Sequence, residues 1–143
     1  MKRLIITISF LLLNSIIAQE ISVDTIWTKT FGGINSEFGY SVQQTTDGGY
    51  IIGGLTQSFG NGSSDFWLIK TDVNGDSSWT KTFGGSEHDK AYSVKQTTDN
   101  GYIIGGSGFF NDDVWLIKTD TNGDSLWTKT FGGSEYEEGY SVQ

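Results

Sequence analysis

The sequence predicts an all-β fold built from repeated four-stranded antiparallel sheets, and three observations support this prediction. A heptapeptide, Trp-Thr-Lys-Thr-Phe-Gly-Gly, occurs three times, beginning at Trp27, Trp79 and Trp127. Short apolar runs alternate with Asp-Gly and Asn-Gly pairs, which are the strongest short-range signals for β-hairpins. The 143 residues include 20 Gly, 9 Phe, 6 Tyr and 5 Trp, but no Pro and no Cys. A hydrophobic share of 36% with 14% aromatic residues is too high for a disordered chain.

The first 18 residues have the organisation of a secretory signal peptide. A cationic start precedes a mostly apolar stretch from Leu4 to Ile17, and Ala18 offers a small residue for cleavage. The apolar stretch is shorter than the roughly 20 residues that a membrane-spanning helix requires, although an uncleaved membrane anchor stays an alternative. No Cys follows it, which excludes a lipoprotein anchor. We therefore expect a secreted or cell-surface protein with no membrane span after cleavage, whose folded part covers 19–143.

The remainder of the chain consists of internal repeats at 27–78 and 79–126 and a partial copy at 127–143. Their periods are 52 residues (27 to 79) and 48 residues (79 to 127), and a period near 50 is typical of propellers and solenoids. Residues 27–54 match 79–106 at 20 of 28 positions, and 65–85 match 113–133 at 18 of 21. The difference in length falls between these blocks, where residues 55–64 are replaced by the shorter 107–112. An insertion confined to a Gly/Ser/Asn-rich segment indicates a surface loop.

Turn signals divide each repeat into four short strands. Asp47-Gly48-Gly49 and Asn74-Gly75 separate the apolar runs of the first repeat, and equivalent signals recur in the second. We interpret them as type I′ hairpins, which need positive φ at both central residues. The predicted strands are 39–46, 49–56, 65–72 and 76–84 in the first repeat, and 91–98, 101–107, 113–120 and 124–132 in the second. No helix is predicted outside the signal peptide.

The faces of these strands predict how the sheets pack. In the third strand Phe66 and Leu68 point one way and Trp67 and Ile69 the other, so both faces are apolar and the strand is expected to be buried on both sides. The fourth strand has one apolar face and one face of threonines. Sheets covered above and below are what a β-propeller needs, because each blade packs between two neighbours. We predict an incomplete propeller of two complete blades plus partial ones, with a β-solenoid as the alternative.

The repeats begin and end in the middle of a blade. Ser22 to Phe31 matches only the fourth strand, and the last copy stops inside the next first strand, at Ser141 to Gln143. A leading fourth strand is expected where a ring closes by pairing it with the last blade. Because propellers have about four to eight blades, we expect a fragment of a longer protein, or completion of the ring through missing blades or self-association.

These motifs resemble a known family. The repeat W-x-K-x-x-G-G, then Y-S-V-x-Q-T-x-D-x-G-Y-I-I-G-G, then D-x-W-L-I-K-T-D-x-N-G-D is similar to the tandem repeats of secreted bacterial β-propeller-like proteins that often carry a type IX secretion sorting domain. The resemblance covers essentially all of 22–143 and implies a secreted or cell-surface repeat protein. The sorting domain itself is absent from this sequence, so type IX secretion is implied by the repeats alone.

Charge and composition restrict the function classes. The formal net charge of -8 argues against nucleic acid as a partner, because phosphate binding needs a basic surface. Without Cys there is no thiolate zinc site and no Cys nucleophile. The sequence contains no Gly-x-Ser-x-Gly elbow, no His-Glu-x-x-His helix and no Ser-His-Asp arrangement. We predict that the chain is not an enzyme and has no cofactor, since near-identical acidic positions are more consistent with structure than with one catalytic site.

The loop aromatics, the oxygen-rich turns, the histidine and the repeated tryptophans are the side chains to consider for binding. Repeat scaffolds usually bind through variable loops, which makes the aromatic loop residues candidate ligand contacts: Phe59, Phe109, Phe110 and Tyr136. Two turns place side-chain oxygen atoms at alternate positions, as in the opening of a calcium-binding loop: Asp72, Asn74, Asp76, Asp120, Asn122 and Asp124. Both turns lack the Gly and the Glu that such a loop requires at later positions. We therefore interpret them as hairpin turns, with calcium binding as the weaker alternative. The lone histidine, His88, is expected to be solvated. The repeated tryptophans are interpreted as core rather than as sugar platforms: Trp67, Trp79, Trp115 and Trp127.

The leading functional hypothesis is an exported, non-catalytic repeat scaffold or protein-interaction module, with an unknown protein or glycan as its partner. Two alternatives stay open. One is a carbohydrate-binding lectin in which two-blade chains assemble into a ring. The other is part of a surface enzyme whose active site lies in missing repeats.

Overall fold

The computed structural model describes residues 26–108 and 113–143, which form eight strands and no helix. Within these residues no helix is available to cross a membrane. The predicted signal peptide and the candidates Phe109 and Phe110 lie outside the described residues.

Two four-stranded antiparallel sheets account for the two repeats, and consecutive strands pair in each. The first sheet contains β1 (Glu37–Gln44), β2 (Tyr50–Thr56), β3 (Asp65–Thr71) and β4 (Ser77–Phe83). The second contains β5 (Lys90–Gln96), β6 (Tyr102–Gly108), β7 (Asp113–Thr119) and β8 (Ser125–Phe131). The all-β class and the four-stranded antiparallel sheets are confirmed, and no strand end differs from its predicted position by more than two residues.

The hairpin turns differ from the type I′ geometry that the sequence suggested. In the β1–β2 loop the Gly48 N–H donates to the Thr45 carbonyl (2.9 Å), and Gly48 has a φ of 85°. The β3–β4 loop is closed in the same way by Gly75, with a φ of 77°. Among the described residues Asn100 (φ 64°) is the sole non-glycine with positive φ, so Asp47 and Asn74 do not have it. One left-handed residue after a four-residue turn is the three-residue hairpin loop, which also fits the twist of the strands.

A bulge in the first strand of each sheet turns one tyrosine toward the neighbouring repeat. The pairing register of β1 with β2 shifts at Tyr40, and that of β5 with β6 shifts at Tyr92. The rings of Tyr40 and Tyr92 lie 5.4 Å apart, and those of Tyr92 and Tyr140 lie 5.1 Å apart. One tyrosine per repeat therefore forms a ladder along the molecule, because a bulge inserts an extra residue and re-aims its side chain.

The hydrophobic core lies between the two sheets. Ile51, Phe66 and Leu68 of the first sheet, each fully buried, pack against the second sheet. The second sheet contributes Ala91, Val94, Tyr102, Ile104, Trp115 and Ile117. The β3 prediction is confirmed, since Trp67 and Ile69 on its other side are only 7% and 3% exposed. The sheets pack face to face but do not close into a ring within the described residues.

Two glycines of β2 permit close contacts, Gly54 within the first sheet and Gly53 with the second sheet. A Cβ atom on Gly54 would lie 1.9 Å from the carbonyl oxygen of Phe38 on β1, and a Cβ on Gly53 would lie 3.2 Å from the Val94 side chain of the second sheet. Neither position has room for a larger residue without displacement of its neighbour.

Candidate functional site

The contacts between the two sheets recur at the N-terminal side of the first sheet. The indole of Trp79 on β4 meets the ring of Tyr102 edge-on, with centroids 5.7 Å apart and planes at 69°. Residues 26–33, here called the leading segment, do not form a strand, but their Trp27 meets Tyr50 at the same distance and angle. The leading segment thus lies on the first sheet in the position that β4 has on the second.

A second contact, an ion pair between a lysine and an aspartate, recurs at the same interatomic distance. Lys29 Nζ lies 2.6 Å from Asp76 Oδ1, and Lys81 Nζ lies 2.6 Å from Asp124 Oδ1. Each lysine belongs to one copy of the heptapeptide, and each aspartate lies in the turn between the last two strands of the sheet that follows that heptapeptide. Exposed pairs of this kind contribute up to about 1 kcal/mol, so they orient the repeats more than they stabilise them.

A third contact recurs on the C-terminal side of the second sheet. The backbone N–H of Val94 on β5 donates to Ser41 Oγ on β1 at 3.2 Å. Residues 134–143, here called the trailing segment, repeat the contact, because the Val142 N–H donates to Ser93 Oγ at 3.2 Å. The trailing segment therefore begins to cover the second sheet as β5 covers the first.

Each sheet has two different faces. We call the side of the first sheet that packs on the second sheet its forward face, and its other side its backward face. In the second sheet, the side that contacts the first sheet is the backward face, and the other side is the forward face. The backward face of the first sheet is open at β1, where Val42 is 66% exposed although Val94 at the equivalent position of the second sheet is 1% exposed, whereas Trp67 and Ile69 of β3 on the same face are buried. Beside Val42 is a depression of about 380 Å³. It is lined by Gly39, Tyr40, Ser41, Val42 and Ile52.

The forward face of the second sheet is also open. Trp127 and Phe131 on β8 are 42% and 54% exposed, whereas Trp79 and Phe83 at the equivalent positions of β4 pack against the core. The interpretation of the repeated tryptophans as core therefore holds for Trp67 and Trp115, holds partly for Trp79 and is wrong for Trp127. The physical reason is that β8 has no neighbouring sheet among the described residues.

A polar cleft of about 510 Å³ opens between the sheets at one end. The buried Lys70 ammonium, with 7% of its side chain exposed, lies 2.7 Å from Asp47 Oδ2 at the edge of this cleft. The hydrogen bond from Lys70, followed by that from Thr45, lowers the pKa of Asp47 to about 2. The other lining residues are Thr46, Ser78, Trp79, Gln96, Asn100, Tyr102 and Thr121. The cleft thus combines one indole ring with a carboxylate, an ammonium and two amides.

The aromatic loop residues predicted to contact a ligand lie in separate places. Phe59 is 45% exposed, and its ring leans on Trp67 of the first sheet at 5.7 Å. Tyr136 is 55% exposed and donates its hydroxyl to Glu138, which also accepts the hydroxyl of Tyr92 on the second sheet. Phe59 packs against the first sheet, whereas Tyr136 is bonded to Glu138 near the second sheet, so the described candidates do not converge on one site.

The calcium candidates are engaged in turn structure. Asp72 Oδ1 accepts the backbone N–H groups of Asn74 (2.8 Å) and Asp76 (2.9 Å). Asp120 Oδ1 accepts those of Asn122 and Asp124 at the same distances. Asp76 and Asp124 pair with lysines, as described above. In the described part of the chain no three acidic or histidine side chains are grouped to hold a metal ion.

One recurring acidic position was missed in the sequence. The carboxylates of Glu37, Asp89 and Glu137 accept the backbone N–H of the second glycine of each heptapeptide, at 3.2, 3.0 and 3.3 Å. The available signal was an acid four residues after that glycine in all three copies. Buried Asp65 lies beside Asp89, and its pKa is raised by burial and by that neighbouring charge. His88 is exposed, as expected, with Nδ1 3.2 Å from Ser64 Oγ.

A second missed feature is a carboxylate surrounded by tyrosines. Glu138 accepts hydrogen bonds from the hydroxyls of Tyr92, Tyr136 and Tyr140. These three hydroxyls lower the pKa of Glu138 to about 2. The positions equivalent to Glu138 are Phe38 and Lys90, so this cluster occurs only in the third copy, and no repeated pattern indicated it.

Comparison with protein-family models and with curated proteins gives no match to this chain.

Proposed function

We propose that this chain is an exported, non-catalytic repeat scaffold that acts as a protein-interaction module, in a secreted or cell-surface β-propeller protein of the kind its repeats resemble. Its two sheets would be neighbouring blades. The observation that carries the proposal is the recurrence of one set of contacts between successive units, with the same ring geometry and ion-pair distance. An array built this way presents sheet faces to whatever packs on its ends.

Two further observations support a structural role. The acidic side chains that the repeats share accept backbone N–H groups or pair with lysines, in matching copies. The apolar stretch from Leu4 to Ile17 supports export. The open backward face, with Tyr40 46% and Val42 66% exposed, supports contact with another protein, because contiguous exposed apolar surface marks interaction sites.

The test is site-specific photo-crosslinking in a bacterium that exports the chain. A photoreactive amino acid at position 40 borders the depression beside Val42 on the open backward face, and one at position 126 lies on β8 with its side chain opposite to those of Trp127 and Phe131. We expect the chain in the envelope or the medium, and a discrete crosslinked protein from position 40 but not from position 126. Retention in the cytoplasm, or equal crosslinking from both positions, would contradict the proposal.

The inter-sheet cleft favours a second candidate function, glycan binding. Sugars stack on indole rings and exchange hydrogen bonds with carboxylates and amides, and the cleft offers Trp79, Asp47, Gln96 and Asn100 together. A glycan array with the purified chain tests this. Asn100→Gly removes one amide while keeping the positive φ, since Gly48 occupies the equivalent position, and we expect it to reduce binding severalfold. An array without hits would refute this function.

A further inference from the structure

The packing of the first sheet on the second joins two unlike faces, and the chain carries a spare copy of each. The forward face of the first sheet is built from Gly53, Phe66, Leu68, Trp79 and Lys81, and the equivalent positions of the second sheet hold Gly105, Val114, Leu116, Trp127 and Lys129. The backward face of the second sheet is built from Val94, Tyr102, Ile104, Trp115 and Asp124, and the first sheet holds Val42, Tyr50, Ile52, Trp67 and Asp76 there. Nine of these ten positions are identical, and Phe66 is replaced by valine.

The two spare faces are covered only in part. The leading segment places Trp27 on Tyr50 and Lys29 on Asp76, but it leaves Val42 uncovered. The trailing segment reaches the forward face of the second sheet, where a Cβ on Gly105 would lie 2.7 Å from Val142. Along β8 the apolar side chains stay exposed. Both segments therefore act as incomplete substitutes for a full sheet.

The charges on the spare faces are complementary. Lys81 of the first sheet pairs with Asp124 across the internal interface. Its equivalent, Lys129, lies 5.8 Å from the centroid of its own Trp127 ring. Asp76 on the open backward face is the equivalent of Asp124. In a second copy stacked with the same geometry, Lys129 of one molecule would reach Asp76 of the other.

We propose that a second copy of this chain docks on the open backward face through the open forward face of its second sheet, which reproduces the internal sheet-to-sheet interface between molecules. The proposal rests on the interaction role proposed above and names its partner. β8 of the incoming copy takes the place of the leading segment, and the two carry the same heptapeptide. β1 of the receiving copy takes the place of the trailing segment, and both contain Tyr-Ser-Val-Gln.

This exchange preserves the contacts that the two segments make and adds the coverage that they lack. Val42 would become buried as Val94 is, under the glycine and leucine of the neighbouring sheet. The interface is heterologous, because it joins the forward face of one copy to the backward face of the next. Each copy offers one face of each kind, so the assembly grows by adding copies until it closes into a ring. The segments compete as intramolecular ligands at high effective concentration, which weakens the association between copies and raises the protein concentration that it requires.

The test uses purified full chains in sedimentation velocity, with one variant blocked at each face. Val42→Glu blocks the backward face and Phe131→Glu blocks the forward face, because each would bury an unpaired carboxylate in the stack. Leu126→Glu is the matched control. Leu126 is 59% exposed, and strand alternation places its side chain opposite to those of Trp127 and Phe131.

We expect the unmodified chain and the Leu126 variant to associate equally, and each blocked variant alone to associate at least about tenfold more weakly. An equimolar mixture of the two blocked variants should form one-to-one dimers, since each supplies the face that the other has lost. This mixture also shows that both variants are folded. A monomeric unmodified chain, singly blocked variants that associate like the control, or a mixture without dimers would each overturn the proposal. A crosslink from position 40 to a different protein would retain the interaction role while excluding the second copy as its partner.

Discussion

Replacing Val94 with alanine should destabilise the chain much more than the same replacement at Val42. The two valines occupy equivalent positions of β5 and β1, but Val94 is 1% exposed and Val42 is 66% exposed. Removing two methyl-sized groups from a buried site loses about 1.6 kcal/mol of transfer free energy, and the cavity raises the cost to about 2 to 3 kcal/mol. At Val42 only about one third of the transfer free energy is at stake, roughly 0.5 kcal/mol. The intrinsic strand propensity of valine cancels in the comparison.

Equilibrium unfolding in urea at low protein concentration measures the difference. Both variants should keep the slope of the unmodified chain, while the midpoint of the Val94 variant falls further. We expect the free energies of unfolding to differ by about 1.5 to 2.5 kcal/mol. A difference under about 0.5 kcal/mol would refute the conclusion that the second sheet is covered at this position and the first is not.

Three further predictions concern glycines, pH and ion pairs. The variant Gly54→Ala should lower the free energy of unfolding, measured by heat or urea, by more than about 2 kcal/mol, because its Cβ would lie 1.9 Å from a backbone oxygen. In the control variant Gly85→Ala the new Cβ would have nothing within 4 Å. This variant should be as stable as the unmodified chain or more stable by up to about 1 kcal/mol. The pKa of Asp47 is lowered to about 2 in the folded chain, so its contribution to folding stability is present above about pH 4 and is lost as the pH falls from about 4 to 2. Because 60% of the Asp47 side chain is exposed, this contribution should stay below about 1 kcal/mol. The variant Asp47→Asn should therefore show a flatter dependence of stability on pH between about 4 and 2. A double-mutant cycle of Lys81→Ala and Asp124→Ala should give a coupling of about 0.2 to 1 kcal/mol that falls in 1 M NaCl, and a coupling that does not respond to salt would contradict a solvent-exposed pair.

The local fold was predictable because its signals lie close together in the sequence. Each apolar run is bounded by turn residues, and the two-residue alternation of side chains in β3 assigns both of its faces without reference to any other strand. The turns were predicted in the right places but with the wrong geometry. The sequence Asn-Gly is compatible with a two-residue hairpin loop. The structure has a three-residue loop instead, in which the Gly75 N–H donates to the Asp72 carbonyl.

The candidate site was less predictable, because it depends on which copy of a repeated residue has a neighbour. Sequence alone determined the strands, their order, the repeat period and the identity of the residues that could face another sheet. It treats Val42 and Val94, or Trp79 and Trp127, as equivalent. Only the tertiary structure distinguishes them, because burial of a sheet face depends on what packs against it from a distant part of the chain or from another molecule. The same physical reason leaves one backward face and one forward face exposed in part, and makes them the surfaces through which this protein is proposed to act.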